Sequence, residues 1–166
     1  MTTITFGGNE VKLDGKAVEV GQHIDSFNVV NSELKDVEPL KEYAGTKKLI
    51  SVVPSLDTGV CQVQTKTFYN KAADVENTQL ITISNDLPFA QKRFCADEGI
   101  ENAVTFSDHK DLSFAKQFGT LMPHLRLQAR SVFVLDEDDN VVYVEYVPEG
   151  TNEPDYDKAI DALKNI

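Results

Sequence analysis

Two cysteines, Cys61 and Cys95, are the side chains of this chain with the most chemistry to offer. A thiolate is a nucleophile, a metal ligand and a redox group. The two lie 34 positions apart, which is not the C-x-x-C spacing, and two thiols cannot make a four-thiolate zinc site. Three uses stay open: two inert buried thiols, one structural disulfide, or a pair with redox chemistry. Cys61 closes the string Pro54-Ser55-Leu56-Asp57-Thr58-Gly59-Val60-Cys61, which leaves an apolar run and enters a helical pattern. A helix start carries unpaired N–H groups and partial positive charge, and both stabilise a thiolate over a thiol. A buried cysteine packed like valine fits the same position equally well.

The elements that must hold such a site follow from periodicity. Lys47 to Val53 is near-continuously apolar, the signature of a strand covered on both faces, and Pro54 ends it. From Cys61 to about Val75 the spacing of Val60, Gln64, Thr67, Phe68, Ala72 and Val75 predicts a helix, with Asp57 or Thr58 as N-cap. Leu80 to Ser84 reads as the next strand. Asp86-Leu87-Pro88 opens a second helix, with Asp86 as cap; it carries Phe94 and Cys95 and stops by Gly99. Val104 to Phe106 is a short strand and Leu112 to Phe118 a short helix. An irregular stretch runs from Thr120 to Ala129. Ser131 to Leu135 and Val141 to Val147 flank the polar turn Asp136 to Asn140, and Asp155 to Leu163 is a closing helix. Thr3 to Phe6 and Val11 to Leu13, joined through Gly7-Gly8, read as a β-hairpin, and Phe27 to Val30 as a short strand. The order βαβαβα, then ββα, predicts an α/β fold: a mixed sheet flanked by helices on the thioredoxin-like plan, with an N-terminal β-hairpin extension. No repeat or linker interrupts 166 residues, so one domain over 1–166 is expected.

Composition narrows the partners. Sixteen Lys and Arg against 27 Asp and Glu give a net charge of −11, which argues against nucleic acid and against anionic membrane. The apolar runs are far shorter than the roughly 20 residues needed to cross a bilayer. The N-terminus lacks a secretory pattern, so a cytoplasmic protein with reduced thiols is expected. His23, His109 and His124 show no metal-ligand spacing, and the acidic turn at Asp136 lacks a calcium-loop pattern.

Three strings together carry a family resemblance: Pro54 to Cys61, Ser84-Asn85-Asp86-Leu87-Pro88-Phe89-Ala90-Gln91-Lys92-Arg93-Phe94-Cys95, and Ala129-Arg130-Ser131-Val132-Phe133-Val134-Leu135-Asp136. They resemble the peroxiredoxins, over nearly the whole chain, and within them the thiol peroxidase subfamily, which places its second cysteine on the helix after the next strand. The resemblance implies a thiol-dependent peroxidase that reduces hydrogen peroxide and organic hydroperoxides without haem, flavin or metal. Cys61 then corresponds to the peroxidatic cysteine and Cys95 to the resolving cysteine that closes an intramolecular disulfide. Thr58 corresponds to the hydroxyl bonded to the reacting sulfur and peroxide, Pro54 to the ring that walls the pocket, and Arg130 to the guanidinium that holds peroxide oxygen. Thioredoxin is the implied electron donor and a homodimer the implied assembly. Taken singly, each residue has a plainer role: proline ends a strand, threonine caps a helix, an arginine at a strand end is a solvated charge. Arg126, a second arginine nearby, is expected to face water. A non-catalytic thiol sensor on the same fold is the competing reading.

Overall fold

A computed structural model of the protein describes residues 2–98 and 104–166. In chain order the strands are β1 (Thr3–Phe6), β2 (Asn9–Lys12), β3 (Val29–Val30), β4 (Asp36–Val37), β5 (Lys47–Val52), β6 (Thr78–Ser84), β7 (Val104–Ser107), β8 (Leu121–Met122), β9 (Leu127–Gln128), β10 (Ser131–Leu135) and β11 (Val141–Tyr146). The helices are α1 (Pro39–Glu42), α2 (Gly59–Ala72), α3 (Pro88–Glu98), α4 (Ser113–Phe118) and α5 (Tyr156–Lys164). Seven strands form one mixed sheet in the order β11-β10-β5-β6-β7-β3-β4. β5, β6 and β7 run parallel, and β10 lies antiparallel to β5 with Ser131 opposite Val52. The expected helix-flanked mixed sheet is found, with the hairpin β1-β2 added to it.

Strand alternation splits the core into two layers. Ile50, Val52, Ile81, Ile83, Phe133 and Leu135 face one side, where Phe27 of the N-terminal region and Phe114 and Phe118 of α4 stack into them. Leu49, Leu80, Val132 and Val134 face the other and meet Phe68 and Ala72 of α2 with Ala159, Ile160 and Leu163 of α5. A period of two on the strands therefore meets a period near 3.6 on the helices. Lys48 is drawn fully into this sheet, and its ammonium pairs with Asp139 of the β10-β11 turn.

Several local expectations change. The stretch from Thr120 to Ala129 is not wholly irregular: Leu121 pairs with Gln128 and Met122 with Leu127. β4 and α1 carry too few residues for a periodic signal. Thr58 is the N-cap position of α2, in extended backbone, yet its hydroxyl caps no N–H and donates to Ser55 O at 3.1 Å. Asp86 does not cap α3; its carboxylate accepts from Ser55, Leu56 and Ser84. α5 has the side-chain cap its sequence suggests, Asp155 accepting from Lys158 N. The expected end of α3 at Gly99 lies outside the described residues.

The hairpin is tied to the far end of the chain. Gly7 and Gly8 turn it with φ of 61° and 83°, the left-handed pair that a tight two-residue turn needs. Thr5 N donates to Pro148 O at 2.8 Å, and Gly150 N donates to Thr5 O at 2.7 Å. Gly150 has no side chain because Phe6 lies where one would be: a Cβ there would fall 2.5 Å from the ring. Glu149 completes the joint by accepting from Thr151 Oγ1 and N, Gly8 N and Thr5 Oγ1. The Thr151 bonds first, then Gly8 and Thr5, hold its carboxyl down at about 2 against an ordinary 4.5. A depressed carboxylate stabilises the fold fully above its unfolded value and loses that contribution as pH falls through the folded one. Amide exchange at Thr5 and Gly150 is therefore expected to quicken as pH falls from about 4.5 towards 2, beyond the intrinsic pH trend of exposed amides. Protection at these two amides that stays level with the β5-β6 amides across that interval would refute the anchor.

Candidate active site

Cys61 is fully buried in the first turn of α2. β5 delivers the chain, Pro54 stops the strand and is itself buried, and the loop from Ser55 to Thr58 turns it into the helix. Around the sulfur, Val53, Leu56 and Phe94 form a small apolar cluster, with Cys95 and Tyr69 packed against it. Arg130 approaches from the other side: its Nη2 donates to Cys61 Sγ at 3.3 Å.

Arg130 is 3% exposed, so the plainer reading of a solvated strand-end charge is overturned. Its place follows from register. Ser131 of β10 sits opposite Val52 of β5, so the residue just before β10 comes level with the end of β5, where the loop to Cys61 starts. Three donors of the guanidinium are used. Nε donates to Gly150 O at 2.9 Å, Nη1 to Gln64 Oε1 at 2.9 Å, and Nη2 to the sulfur. Gln64 is itself buried and aimed by Nε2, which donates to Ser51 Oγ at 2.8 Å and Val52 O at 3.3 Å. Among the described residues no carboxylate pairs with Arg130. The guanidinium's bonds to Gly150 and Gln64 go to neutral acceptors, and its third contact is Cys61 Sγ.

The other expected residues fall less neatly. Thr58 stands beside the site but is exposed, and its hydroxyl bonds Ser55 O, not the sulfur. Cys95 lies on α3, half-buried, with its sulfur 3.5 Å from Thr105 Oγ1 and bordering a cavity of about 340 Å3 lined also by Tyr43, Gln91, Lys92 and Phe106. Both cysteines are free thiols, with no bridge between them. Arg126 is exposed as expected, and its carbonyl accepts from Asn85 Nδ2. His109 Nδ1 meets Ser107 Oγ and His23 Nδ1 meets Asn140 Oδ1; neither bonds Cys61. Gln64 and Gly150 are the partners that sequence reasoning missed. Gln64 left a signal, a polar side chain on an apolar helix face almost one turn after Cys61. Gly150 left none, because its carbonyl serves Arg130 only through the tertiary fold.

A parallel βαβ core that presents one buried thiol to a guanidinium, with a second thiol on the next helix against the same apolar cluster, defines a thioredoxin-like thiol protein. Comparison with known proteins gives the family. The Redoxin family model matches residues 19–160. The thiol peroxidase of Staphylococcus haemolyticus is 55% identical over 166 residues, covering all of both chains, and that of Halalkalibacterium halodurans is 52% identical over 99% of this chain and 98% of its own. Among solved structures, the peroxiredoxin-like protein from Aquifex aeolicus superposes with a TM-score of 0.89 at 35% identity, covering 99% of this chain and 97% of that one. The chain belongs to the redoxin family, and within it to the thiol peroxidases of the peroxiredoxin group. Among the described residues no helix is long and apolar enough to cross a membrane.

Proposed function

We propose that this thiol peroxidase reduces hydrogen peroxide and small organic hydroperoxides through Cys61. The Cys61 thiolate attacks one peroxide oxygen, the O–O bond breaks, and the bonding pair leaves on the second oxygen, which takes a proton and departs as water or an alcohol. Cys61 is left as a sulfenic acid. Cys95 then attacks the Cys61 sulfur, the hydroxyl leaves as water, and an intramolecular disulfide remains. An external dithiol reduces that bridge and is itself oxidised. Thioredoxin is the proposed donor, in the cytoplasm.

The observation that carries this reading is the 3.3 Å contact between Arg130 and Cys61 in a buried setting where, among the described residues, no carboxylate pairs with the guanidinium. A fixed cation beside the sulfur stabilises the charge that spreads over sulfur and both oxygens in the transition state, without reorganising as the reaction proceeds. Arg130 is thus proposed to hold peroxide oxygen as well as sulfur. Pro54 closes the strand side of the site against water. Thr58 is proposed to turn its hydroxyl from Ser55 O to the bound peroxide. A homodimer through the face near these loops is part of the same proposal. Leu87, Phe89 and Leu125 lie there as exposed apolar side chains.

Cys61 is held by Arg130 in the first turn of α2, and Cys95 borders Thr105 on α3. A disulfide needs the two Cα atoms within about 7 Å in compatible orientation. Closing the bridge is proposed to unwind part of α2, α3 or both. The test is turnover: reduced protein with peroxide and excess dithiol consumes many equivalents of peroxide. Consumption that halts near one equivalent would favour the sensor and overturn the enzyme.

A further inference from the structure

We propose that Asp86 is a positioning residue that joins the loop carrying Cys61 to the helix carrying Cys95, so that the two segments open together. This inference rests on the cycle proposed above. The connection is drawn entirely from one carboxylate. Oδ1 accepts from Ser55 Oγ at 2.7 Å, and Oδ2 accepts from Leu56 N at 2.7 Å and from Ser84 Oγ at 2.8 Å. Ser55 and Leu56 belong to the turn between Pro54 and Cys61. Ser84 ends β6, and Asp86 itself stands two residues before α3. Among the described residues, no other side-chain hydrogen bond joins the 54–58 loop to residues 85–95.

Bonds on either side extend the connection to both thiols. On the Cys61 side, Ser55 O accepts from Thr58 Oγ1, and Thr58 is the N-cap position of α2. On the Cys95 side, Ser84 Oγ accepts from Gln91 Nε2 at 2.9 Å, and Gln91 is one helical turn before Cys95. The hydroxyl of Ser84 has one proton, given to Asp86, and accepts from Gln91; the directions are mutually consistent. Ser107 Oγ donates to the Asp86 carbonyl and pins that residue to β7 from behind.

Asp86 is a good choice for such a joint because a carboxylate only accepts. It satisfies three donors from two segments at once, and charge strengthens each bond. Removing it leaves Leu56 N–H, a buried donor, without a partner, which favours release of the loop to water. Either helix, as it unwinds, strips the other segment of its anchor. The carboxylate thereby sets the balance between the closed site that reacts with peroxide and the opened one that bridges.

The test uses the reduced full chain and the variants Asp86→Asn, Asp86→Ala and Ser55→Ala. The amide variant keeps the size of the side chain but turns one acceptor into a donor. Amide hydrogen exchange is expected to quicken about tenfold in both 55–60 and 88–95, the scale of one charged hydrogen bond lost, with β5 and β6 unchanged. Ser55→Ala, placed in the other segment, must also quicken 88–95, a readout that a purely local role for Asp86 would not move. Quenched reactions followed by mass then separate the steps. Bridge closure is expected to speed up, while the first oxidation of Cys61, measured in a Cys95→Ser background, slows. Exchange that rises in one segment only, or both chemical steps slowing together, would overturn the proposal. If the unsubstituted chain failed to oxidise at Cys61, the peroxidase reading would fall, while exchange would still decide the role of Asp86.

Discussion

Cys61→Ser is expected to abolish peroxide consumption and disulfide formation together, while Cys95→Ser still oxidises at Cys61 but stops without a bridge. Removal of a catalytic nucleophile costs on the order of 10^6-fold in rate, so turnover falls to background. The reason is chemical, since a serine hydroxyl neither ionises near neutral pH nor accepts the oxidation that sulfur does. The substitution is small enough for the apolar cluster of Val53, Leu56 and Phe94 to remain, and Arg130 still finds an acceptor at that position. Cys95→Ser removes the second nucleophile and replaces a sulfur that touches Thr105 Oγ1 and the same cluster by a smaller oxygen. Intact mass after peroxide should show one added oxygen on the Cys95 variant, two hydrogens lost on the parent, and no change on the Cys61 variant. Retained turnover by Cys61→Ser would sink the mechanism.

Arg130→Met is expected to lower kcat/KM for hydrogen peroxide by about 10^2–10^3-fold, the cost of deleting one preorganised donor to developing charge. Methionine keeps the length and apolar stem of the side chain but no donor. Three acceptors lose their partner at once: Gly150 O, Gln64 Oε1 and Cys61 Sγ. A stability loss of about 1–3 kcal/mol should accompany the change, because buried acceptors are left unmade. Arg130→Lys is not a conservative replacement here. One ammonium cannot reach three acceptors that a planar fork serves from three directions. It should recover part of the stability and little of the rate. Thermal melting beside steady-state kinetics separates the two effects; a methionine variant with full kcat/KM would remove Arg130 from the reaction.

What the sequence made legible was covalently local. The strand, the proline stop, the turn and the thiol at the helix start lie within fifteen residues, and each has a propensity or a steric reason of its own. The position of Arg130 at a strand end was equally plain. Its burial was not, because its acceptors come from residues 61, 64 and 150, brought together only by the β10-β5 register and the joint to the hairpin. Asp86 shows the same limit. An aspartate before a proline-led helix reads as a cap, and nothing within ten residues tells that its carboxylate serves Ser55 and Leu56 instead. Thr58 is the reverse case: the family pattern points to sulfur and peroxide, whereas in the structure its hydroxyl is occupied by a neighbouring carbonyl.

The joint between the first hairpin and residues 148–150 also bears on synthesis. A chain leaves the ribosome from its N-terminus, so the hairpin emerges first, yet its docking strip is among the last segments made. Phe6 must wait for Gly150, and Gly150 carries the carbonyl that orients Arg130. Contacts spanning more than 140 residues close late, since loop-closure entropy must be met before they gain anything. A nascent chain halted before residue 150 would already possess both cysteines and most of the sheet, but not the anchor for its guanidinium. One of the three acceptors of Arg130 is thus withheld from the unfinished protein, and Nε gains its carbonyl only when the two ends of the chain have met each other.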